Sequence, residues 1–167
     1  KDDYVRSRQV AVQLALQRAV EAFGVGRIIT FHTSVKAAAS FIAEGAEGVQ
    51  NHLPDFSTFH VNGKQRTADR EDHLRGFAEA DKGLITNARC LTEGVDVPAV
   101  DMVAFVAPRR SKIDIVQATG RAMRKAGPDK ETGYILLPLF LEQEEGETLE
   151  EALERSQFDE VAAVLNA

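Results

Sequence analysis

Apolar residues recur along this chain with two periods, one typical of helices and the other typical of buried strands. A helical stripe near the start ends at Gly24, and a second helix is indicated over residues 34–43. A third helix begins at Thr67. The apolar stripes of the first and third helices consist of Val12, Leu16, Ala19 and Phe23, and of Leu74 and Phe77, with Arg70 near the start of the latter stripe.

Short runs rich in β-branched and aromatic residues are interleaved with these helices and with a further helix around residue 120. Strands and helices that alternate in this way form βαβ units, with a mostly parallel sheet and helices on both faces. The pattern therefore predicts an α/β fold with three layers. The predicted strands cover residues 27–32, 56–61, 83–86, 102–106 and 134–137.

Composition narrows the class of protein. The chain has 167 residues, of which 44% are hydrophobic and 28% are charged, as in an ordinary globular domain. No apolar run is long enough to cross a bilayer, and the single cysteine, Cys90, excludes an internal disulfide. We therefore expect a cytoplasmic protein that does not bind a membrane.

Charge is distributed unevenly, although the net charge is only −6. Residues 142–167 contain nine acids and one arginine, a balance of −8, so the remainder of the chain carries +2. Within that remainder, residues 101–130 contain seven basic and three acidic groups, which favours a local surface that attracts polyanions. The pattern predicts one domain over residues 1–141, followed by an acidic linker and a C-terminal helix over residues 142–167.

The histidines lack the close cysteine or histidine spacing that is typical of a metal site. We expect them to be structural or surface residues, and the sequence predicts no metal ligands. The histidines are His32, His52, His60 and His73.

A basic helix is the most informative segment of the chain. Ser111 and Asp114 form the Ser-x-x-Asp pattern that begins a helix, and Gly127, which is followed by proline, ends it. Arginine keeps its charge at any working pH and presents a planar fork of donors that suits phosphate oxygens. Taken alone, such a helix is also compatible with a solvated surface paired with acids. One face carries Ile113, Gln117, Gly120 and Arg124, with Arg121 beside them.

A second informative segment runs from a buried strand at Leu84 into a polar loop that ends at Pro98. In parallel sheets, ligands bind outside the carboxyl ends of the strands, where such loops emerge. Gly94 allows a phosphate to come close, and the Asp96 carboxylate can accept hydrogen bonds from ribose hydroxyls. An ordinary turn that leads into the next strand is the alternative. Polar residues and glycine also follow the other strands, at Thr33, Ser34, Asn62, Gly63, Arg109 and Arg110.

Together these segments resemble the second RecA-like domain of superfamily 2 helicases. Four motifs in the right order cover about residues 26–138, and they imply the three-layer RecA-like fold of P-loop NTPases. Gln117 and the residues around it look most like restriction-type DNA translocases, whereas DEAD-box RNA helicases carry His-Arg at that place. The segment similar to motif IV is RIITFHTS, that similar to motif IVa is HVNG with REDHLRGF, and motifs V and VI are matched by LITNARCLTEGVDVPAVDMV and QATGRAMR.

The resemblance implies a role in nucleotide binding for each matching residue. Arg121 and Arg124 would be arginine fingers that reach the γ-phosphate of ATP. Gln117 would lie beside them in the cleft between two domains. Asp96 would contact the ribose, and Gly94 would lie in the loop that senses the nucleotide.

The same resemblance implies a surface that binds the backbone of a nucleic-acid strand, DNA rather than RNA. Many relatives have glutamine at the position of Thr67, so the resemblance does not extend to a backbone contact at this residue. The residues expected near the strand are Thr33, Ser34, Gly63, Arg70 and Thr86.

The chain lacks two parts of a complete motor, a Gly-x-x-x-x-Gly-Lys-[Ser/Thr] loop and an acidic pair after an apolar strand. The phosphate cradle and the ligands of the Mg²⁺ that accompanies ATP would belong to an N-terminal RecA-like domain of the same polypeptide. The resemblance thus implies the C-terminal motor half of an ATP-dependent helicase or translocase, which would be inactive by itself.

Two other hypotheses start from the same fold. A non-catalytic RecA-like module that docks proteins would show degraded motifs, whereas Asp96 and both motif VI arginines are present. A small-molecule enzyme on a Rossmann-like sheet would show a Gly-x-Gly-x-x-Gly fingerprint, and the chain has none.

Overall fold

The computed structural model describes residues 2–88, 99–106, 120, 132–138 and 143–155. Within these ranges, helices and strands alternate along most of the chain. The helices are α1 (Asp2–Phe23), α2 (Val35–Ile42), α3 (Thr67–Glu79) and α4 (Leu149–Arg155), with a short 3-10 helix at Val49–Asn51. The strands are β1 (Arg27–Phe31), β2 (Ser57–Asn62), β3 (Gly83–Ala88), β4 (Met102–Phe105) and β5 (Tyr134–Leu136).

The strands form one sheet in the order β2-β3-β1-β4-β5, and each of its four pairings is parallel. Each observed strand begins and ends within two residues of the strand predicted from the sequence. The predicted α/β class is confirmed, because helices connect strands that run in one direction.

The sheet is buried on both faces, and this makes the three layers. Successive residues of a strand point to opposite faces, so Ile28 and Leu84 belong to one buried cluster and Ile29 and Ile85 to the other. Helices α1 and α2 cover the first face, and α3 covers the second. The first cluster includes Val12, Leu16, Phe41 and Met102, and the second includes Leu74, Phe77, Val103 and Phe105.

Helix α1 packs on the sheet through its middle and makes further contacts at two separated places. The side-chain amides of Gln9 and Gln13 both donate to the carbonyl oxygen of Glu47, at 3.0 and 2.9 Å. At the other end of the helix, the Phe23 ring stacks on Tyr134 of β5, with the ring centroids 4.6 Å apart. Phe23 was expected on the buried stripe but is 54% exposed, since it covers the margin of the sheet and not its centre.

A buried carboxylate organises the amino ends of the strands. Asp101 Oδ2 accepts hydrogen bonds from the backbone N–H groups of Gly26 and Arg27, at 2.8 and 2.9 Å. The Arg27 guanidinium in turn donates to the carbonyl oxygens of Ala78 and Ala80, at 2.6 and 2.9 Å. Because the last carbonyls of a helix lack partners within the helix, Arg27 closes the end of α3 as a cation at its negative pole.

A glycine inside α3 allows the helix to lie close to β2. A Cβ atom at Gly76 would come within 2.8 Å of Cε1 of Phe59, which is closer than such atoms approach in folded proteins. The Phe59 ring also meets Phe77 edge-on, at 6.1 Å between centroids. Glycine has a low helix propensity, but its lack of a side chain allows α3 to pack directly on the Phe59 ring.

Helix α4 begins with a capping box in the acidic C-terminal region. The Thr148 hydroxyl accepts from the Glu151 N–H at 3.2 Å, while the Glu151 carboxylate accepts from the Thr148 N–H at 2.8 Å. The hydrogen bond from the Thr148 backbone, followed by that from its hydroxyl, lowers the pKa of Glu151. The remainder of the predicted C-terminal helix lies outside the described residues, and the division between residues 141 and 142 stays a prediction.

Loss of the Asp101 carboxylate is expected to destabilise the fold. Asp101→Ala would leave two partly buried N–H groups without their acceptor and lower the free energy of unfolding by about 2 kcal/mol, whereas Asp101→Asn keeps an acceptor oxygen and costs less. Urea denaturation followed by circular dichroism measures both values. Asp81→Ala, at an exposed aspartate near the same edge, is the control, and equal stabilities of Asp101→Ala and this control would contradict the assignment.

Candidate functional site

Parallel pairing brings the carboxyl ends of β1, β2 and β3 to one level. The register places Phe31 opposite Asn87, and Asn62 opposite Ala88. The segments that follow β1 and β2 therefore leave the sheet at the same edge, one on either side of β3. We use the name carboxyl edge for Thr33, Ser34, the loop of residues 62–66 and the last residues of these three strands.

Helix α2 begins at the carboxyl edge. Ser34 is its N-cap, and the Ser34 hydroxyl oxygen accepts a hydrogen bond from the Ala37 N–H at 3.1 Å. Thr33 and Ser34 are both exposed, and so is Lys36 in the first turn. The positive end of the helix dipole and a lysine thus lie where the resemblance predicts contacts with nucleic acid.

Side chains fold the loop after β2 from within. Asn62 Oδ1 accepts from the Lys64 N–H at 2.9 Å, and Gln65 Oε1 accepts from the Asn62 N–H at 3.0 Å. The Gln65 amide nitrogen also donates to the carbonyl oxygen of His60, at 3.1 Å. Because these bonds turn Asn62 and Gln65 inward, Gly63 and Lys64 are left exposed at the edge.

Arg66, the N-cap residue of α3, and Arg70, in the first turn of α3, differ in their partners. Arg66 is exposed and makes two hydrogen bonds with the Asp69 carboxylate, at 3.0 and 3.2 Å. Arg70 is half-buried on the stripe of Leu74, and its guanidinium has no ion pair with a carboxylate in the described part of the chain. Arg70 is therefore the arginine of this pair whose charge is not offset by a neighbouring acid.

A row of polar side chains crosses the sheet just before the carboxyl edge. Thr30, Thr86 and His60 occupy matching positions on β1, β3 and β2. His60 Nδ1 lies 2.8 Å from the Thr86 hydroxyl, and Thr86 is fully buried. This placement favours a positioning role for Thr86 over a direct contact with a nucleic-acid strand.

His32 lies at the end of the same row, buried beside α2. Its Nε2 is 2.9 Å from the Thr30 hydroxyl, and its ring meets Phe41 edge-on, at 5.0 Å between centroids. Burial lowers the pKa of His32 to about 3, and the neighbouring charge of His60 acts in the same direction. His32 is therefore neutral at ordinary pH and serves the packing of α2.

The hydrogen bonds around His60 are not predicted by the sequence pattern. His73 Nδ1 donates to the His60 carbonyl oxygen at 2.6 Å, so α3 joins a network that already contains Asn62, Gln65 and Thr86. These residues are separated along the chain, and only the register of the sheet brings them together. The local signal that does exist is Asn-Gly with a polar side chain two residues later, which is typical of a turn held by its own side chains.

The residues that are expected to contact the nucleotide lie outside the described part of the chain. Gly120, a neighbour of Arg121, is described. Gly120 is helical and exposed, and a Cβ atom placed on it would meet no other atom within 4 Å. Gly120 itself is therefore open to another surface. The residues outside are Gly94, Asp96, Gln117, Arg121 and Arg124.

Metal binding and membrane insertion find no support in the described residues. These residues contain no group of three histidine, cysteine, aspartate or glutamate side chains that could hold a metal ion. Among the same residues, no helix is both long and apolar enough to traverse a bilayer.

A parallel sheet of this order, covered by helices on both faces and with polar loops at its carboxyl edge, defines an α/β domain of RecA-like type. The chain matches the family described as Helicase conserved C-terminal domain over residues 12–126, which is more than half of its length. The chain belongs to this family. The predicted membership among the C-terminal domains of superfamily 2 helicases is confirmed.

Curated relatives include helicases from distant sources. The chain is 28% identical over 132 residues to a mitochondrial ATP-dependent RNA helicase, MSS116, of Lodderomyces elongisporus, and the match covers 76% of this chain and 19% of the relative. It is 30% identical over 122 residues to a probable helicase, A859L, of African swine fever virus, where the match covers 71% of this chain and 13% of the relative. The chain thus spans less than a fifth of either relative.

Solved structures give the same fold. An ATP-dependent Type ISP restriction-modification enzyme, LlaBIII, bound to DNA, aligns with a TM-score of 0.60 and 30% identity over 83% of this chain and 9% of the other. The second domain of the DEAD-box helicase Mss116p, bound to an RNA duplex, aligns with a TM-score of 0.60 and 18% identity over 80% of this chain and 50% of the other. The second likeness shows the fold alone.

The buried His32 is expected to make stability depend on pH. The unfolded chain takes up a proton near the ordinary pKa of 6.5, whereas the folded chain resists protonation down to about 3, so stability falls as the pH drops through this window. Between pH 7 and 5, wild type should lose about 2 kcal/mol more unfolding free energy than His32→Asn. Urea midpoints at both pH values measure this, His52→Asn is the control, and equal losses in wild type and His32→Asn would contradict it.

Proposed function

We propose that this chain is the C-terminal motor half of an ATP-dependent helicase or translocase. Its carboxyl edge would bind the backbone of one nucleic-acid strand, and its basic helix would face ATP held by an N-terminal RecA-like domain of the same polypeptide. The observation that carries the proposal is the convergence of Thr33, Ser34, Gly63 and Lys64 at one edge of a domain whose family is helicase. These residues come from two separate motifs, and the register of the sheet aligns them.

Contacts with nucleic acid would be made mainly to phosphates. The exposed groups at the carboxyl edge are hydroxyls, a glycine backbone, the Lys64 amine and the Arg66 guanidinium, which is bonded to Asp69, and all of these donors suit phosphate oxygens. Lys36, Lys64 and Arg70 provide positive charge beside them. Binding would therefore be indifferent to sequence.

Asp96, Arg121 and Arg124 would hold ATP in the cleft between the two halves. The chemistry of this donor set fits a nucleoside triphosphate, since two guanidinium groups suit phosphate oxygens and a carboxylate suits ribose hydroxyls. The open space at Gly120 is consistent with close approach of a second domain. Gly94 and Gln117 would complete the cofactor-binding side of the cleft.

ATP would supply the transferable phosphoryl group, and Mg²⁺, held by ligands on the proposed N-terminal domain, would offset charge on its phosphate oxygens. Arg121 and Arg124 would stabilise negative charge that develops on the phosphate oxygens, and Gln117 would help to fix the cleft in its closed form. Closure and reopening of the cleft would move the carboxyl edge along the strand by small steps.

The proposed strand is DNA, and the proposed subfamily is that of the restriction-type translocases. The glutamine at the start of motif VI supports this choice, as does the 30% identity with LlaBIII, whose structure contains DNA. Comparison of oligothymidylate with oligouridylate tests it. Equal or tighter binding of the RNA would contradict the choice of DNA and leave the helicase proposal standing.

The carboxyl edge is expected to bind single-stranded DNA weakly and with a strong dependence on salt. Lys64→Ala should lower the affinity for oligothymidylate and reduce the slope of log K against log salt by about 1, because one phosphate contact is lost. Fluorescence anisotropy between low and moderate salt measures the slope. Lys82→Ala, an exposed lysine at the amino end of β3, is the matched control, and an equal effect of both variants would argue against the edge.

Arg124→Ala is expected to abolish most ATP turnover in the polypeptide that also carries the proposed N-terminal domain. Arginine fingers contribute roughly 10³ to 10⁵ in rate in phosphoryl transfer, so strand-stimulated turnover should fall by at least about a thousandfold. Arg124→Lys should recover little, because an ammonium cannot make the two-pronged contact. A coupled phosphate-release assay measures the rates.

Arg75→Ala is the control for this change, since Arg75 is exposed on α3 and pairs only loosely with Asp72, at 3.3 Å. It should leave turnover unchanged. Normal turnover in Arg124→Ala would overturn the arginine-finger role and favour the alternative of a protein-docking module. The chain of 167 residues by itself should not hydrolyse ATP.

A further inference from the structure

One backbone group determines the direction of the hydrogen bonds that run from Asn62 through the His60 ring to Thr86. The Lys64 N–H can only donate, and it faces Asn62 Oδ1 at 2.9 Å. The other end of that amide, Nδ2, must then face His60 Nε2, at 3.1 Å. Since an amide nitrogen donates and does not accept, His60 Nε2 must be the acceptor.

The proton of the His60 ring therefore lies on Nδ1. This N–H points at the Thr86 hydroxyl oxygen, 2.8 Å away, and donates to it. The hydroxyl proton of Thr86 is then directed to the carbonyl oxygen of Phe59, at 3.5 Å. A single directional chain of hydrogen bonds thus runs from the exposed loop into buried β3.

The backbone of His60 is held separately from its ring. The His60 carbonyl oxygen accepts from His73 Nδ1 at 2.6 Å and from Gln65 Nε2 at 3.1 Å. These bonds come from α3 and from the loop, and they do not involve the imidazole. Replacement of the ring would therefore remove the side-chain link between the Asn62 turn and Thr86, while the backbone pairing of β2 with β3 and the attachment of β2 to α3 remain.

We propose that His60, neutral and with its proton on Nδ1, is the positioning residue of the carboxyl edge. Its ring joins the turn at Asn62 to Thr86, and so fixes the exposed backbone of Gly63 and Lys64 relative to the strand that leads into motif V. This inference rests on the proposed function, because it assigns the positioned groups to phosphate binding. His60 itself makes no contact with the nucleic acid.

Protonation of the ring is incompatible with this chain of hydrogen bonds. A second N–H, on Nε2, would point at the donor hydrogens of Asn62 Nδ2. The amide would have to turn over, and the Lys64 N–H would then lose its acceptor. The loop is therefore coupled to the protonation state of His60.

The surroundings of His60 favour its neutral form. Burial lowers the pKa of His60, the charge of His73 lowers it further, and a hydrogen bond with the Thr86 backbone acts in the opposite direction. The cationic groups and histidines on the elements packed near β2 are His32 after β1, Lys36 on α2, Lys64 and Arg66 in the loop, and Arg70 and His73 on α3. The acidic groups on α3 near its start are Asp69, whose carboxylate is paired with Arg66, and Glu71 and Asp72.

Nuclear magnetic resonance of the 167-residue chain tests the tautomer directly. Long-range ¹H–¹⁵N spectra at neutral pH should show His60 protonated on Nδ1 only, and the Lys64 amide should exchange slowly with solvent. As the pH falls, protonation of His60 and faster exchange of the Lys64 amide should occur together. A His60 ring protonated on Nε2 at neutral pH, or Lys64 exchange that ignores the titration, would overturn the proposal.

Variants test the link to binding. His60→Phe keeps a ring but removes both nitrogens, so the loop must be ordered when the strand binds, and the affinity for oligothymidylate should fall about fivefold to tenfold. The Lys64 amide should exchange faster in this variant. His52→Phe, at a half-buried histidine outside the network, should change neither quantity.

A second variant keeps the proposal testable if His60→Phe does not fold. Asn62→Asp retains an acceptor for the Lys64 N–H, but its carboxylate now accepts from a protonated Nε2. The pKa of His60 should therefore rise, and the Lys64 amide should stay protected at acidic pH, where it loses protection in wild type. An unchanged His60 titration in this variant would overturn the assignment.

The outcomes separate the two proposals. If wild type does not bind oligothymidylate, the proposed function of the edge fails, while the tautomer and the Lys64 exchange still decide the coupling. If wild type binds and His60→Phe binds equally well, the edge stands and the positioning role of His60 is wrong.

Discussion

The five described strands are covered by helices on both faces, so the polar side chains in the described part of the sheet gather towards its amino and carboxyl edges. The first halves of the central strands β1 and β3 are apolar on both sides, as the pairs Ile28–Ile29 and Leu84–Ile85 show, and the polar residues Thr30 and Thr86 follow them. Charged groups in the middle of these strands would lose their hydration without a partner. The parallel direction of the strands then decides which loops meet at which edge.

The two edges use polar groups differently. At the amino edge, the Asp101 and Arg27 side chains form hydrogen bonds with backbone groups and so hold neighbouring elements together. At the carboxyl edge, Asn62 and Gln65 satisfy each other and the backbone, which leaves neighbouring groups exposed. One edge is built for stability, and the other leaves hydrogen-bond donors exposed.

Most of the fold could be predicted from local pattern. β-branched runs such as Arg27–Phe31 indicate their strands to within two residues, and the Ser34 cap indicates the start of α2. Burial of individual side chains could not be predicted as well. Phe23 continues a helical stripe in sequence, but the sheet beneath it ends at β5, so the local periodicity and the true environment differ.

The candidate site was predictable as a set of loops but not as a network. In the sequence, Thr86 looks like an ordinary threonine near the end of a strand. Its partner His60 lies 26 residues away along the chain, and the pairing of β2 with β3 brings the two side chains together. The capping box of Thr148 and Glu151 is a different case, because its four-residue pattern is visible in the sequence and needs no tertiary information. Contacts within a turn can be inferred from spacing, whereas contacts across strands require the pairing to be known.

The attachments of α1 have a mechanical consequence. Gln9 and Gln13 bind the Glu47 carbonyl in the segment that leads to β2, one margin of the sheet, and Phe23 stacks on Tyr134 of β5, the other margin. The helix therefore crosses one face of the sheet and is attached near both of its margins. A change in the twist of the sheet would strain these attachments, so α1 opposes independent movement of the outer strands.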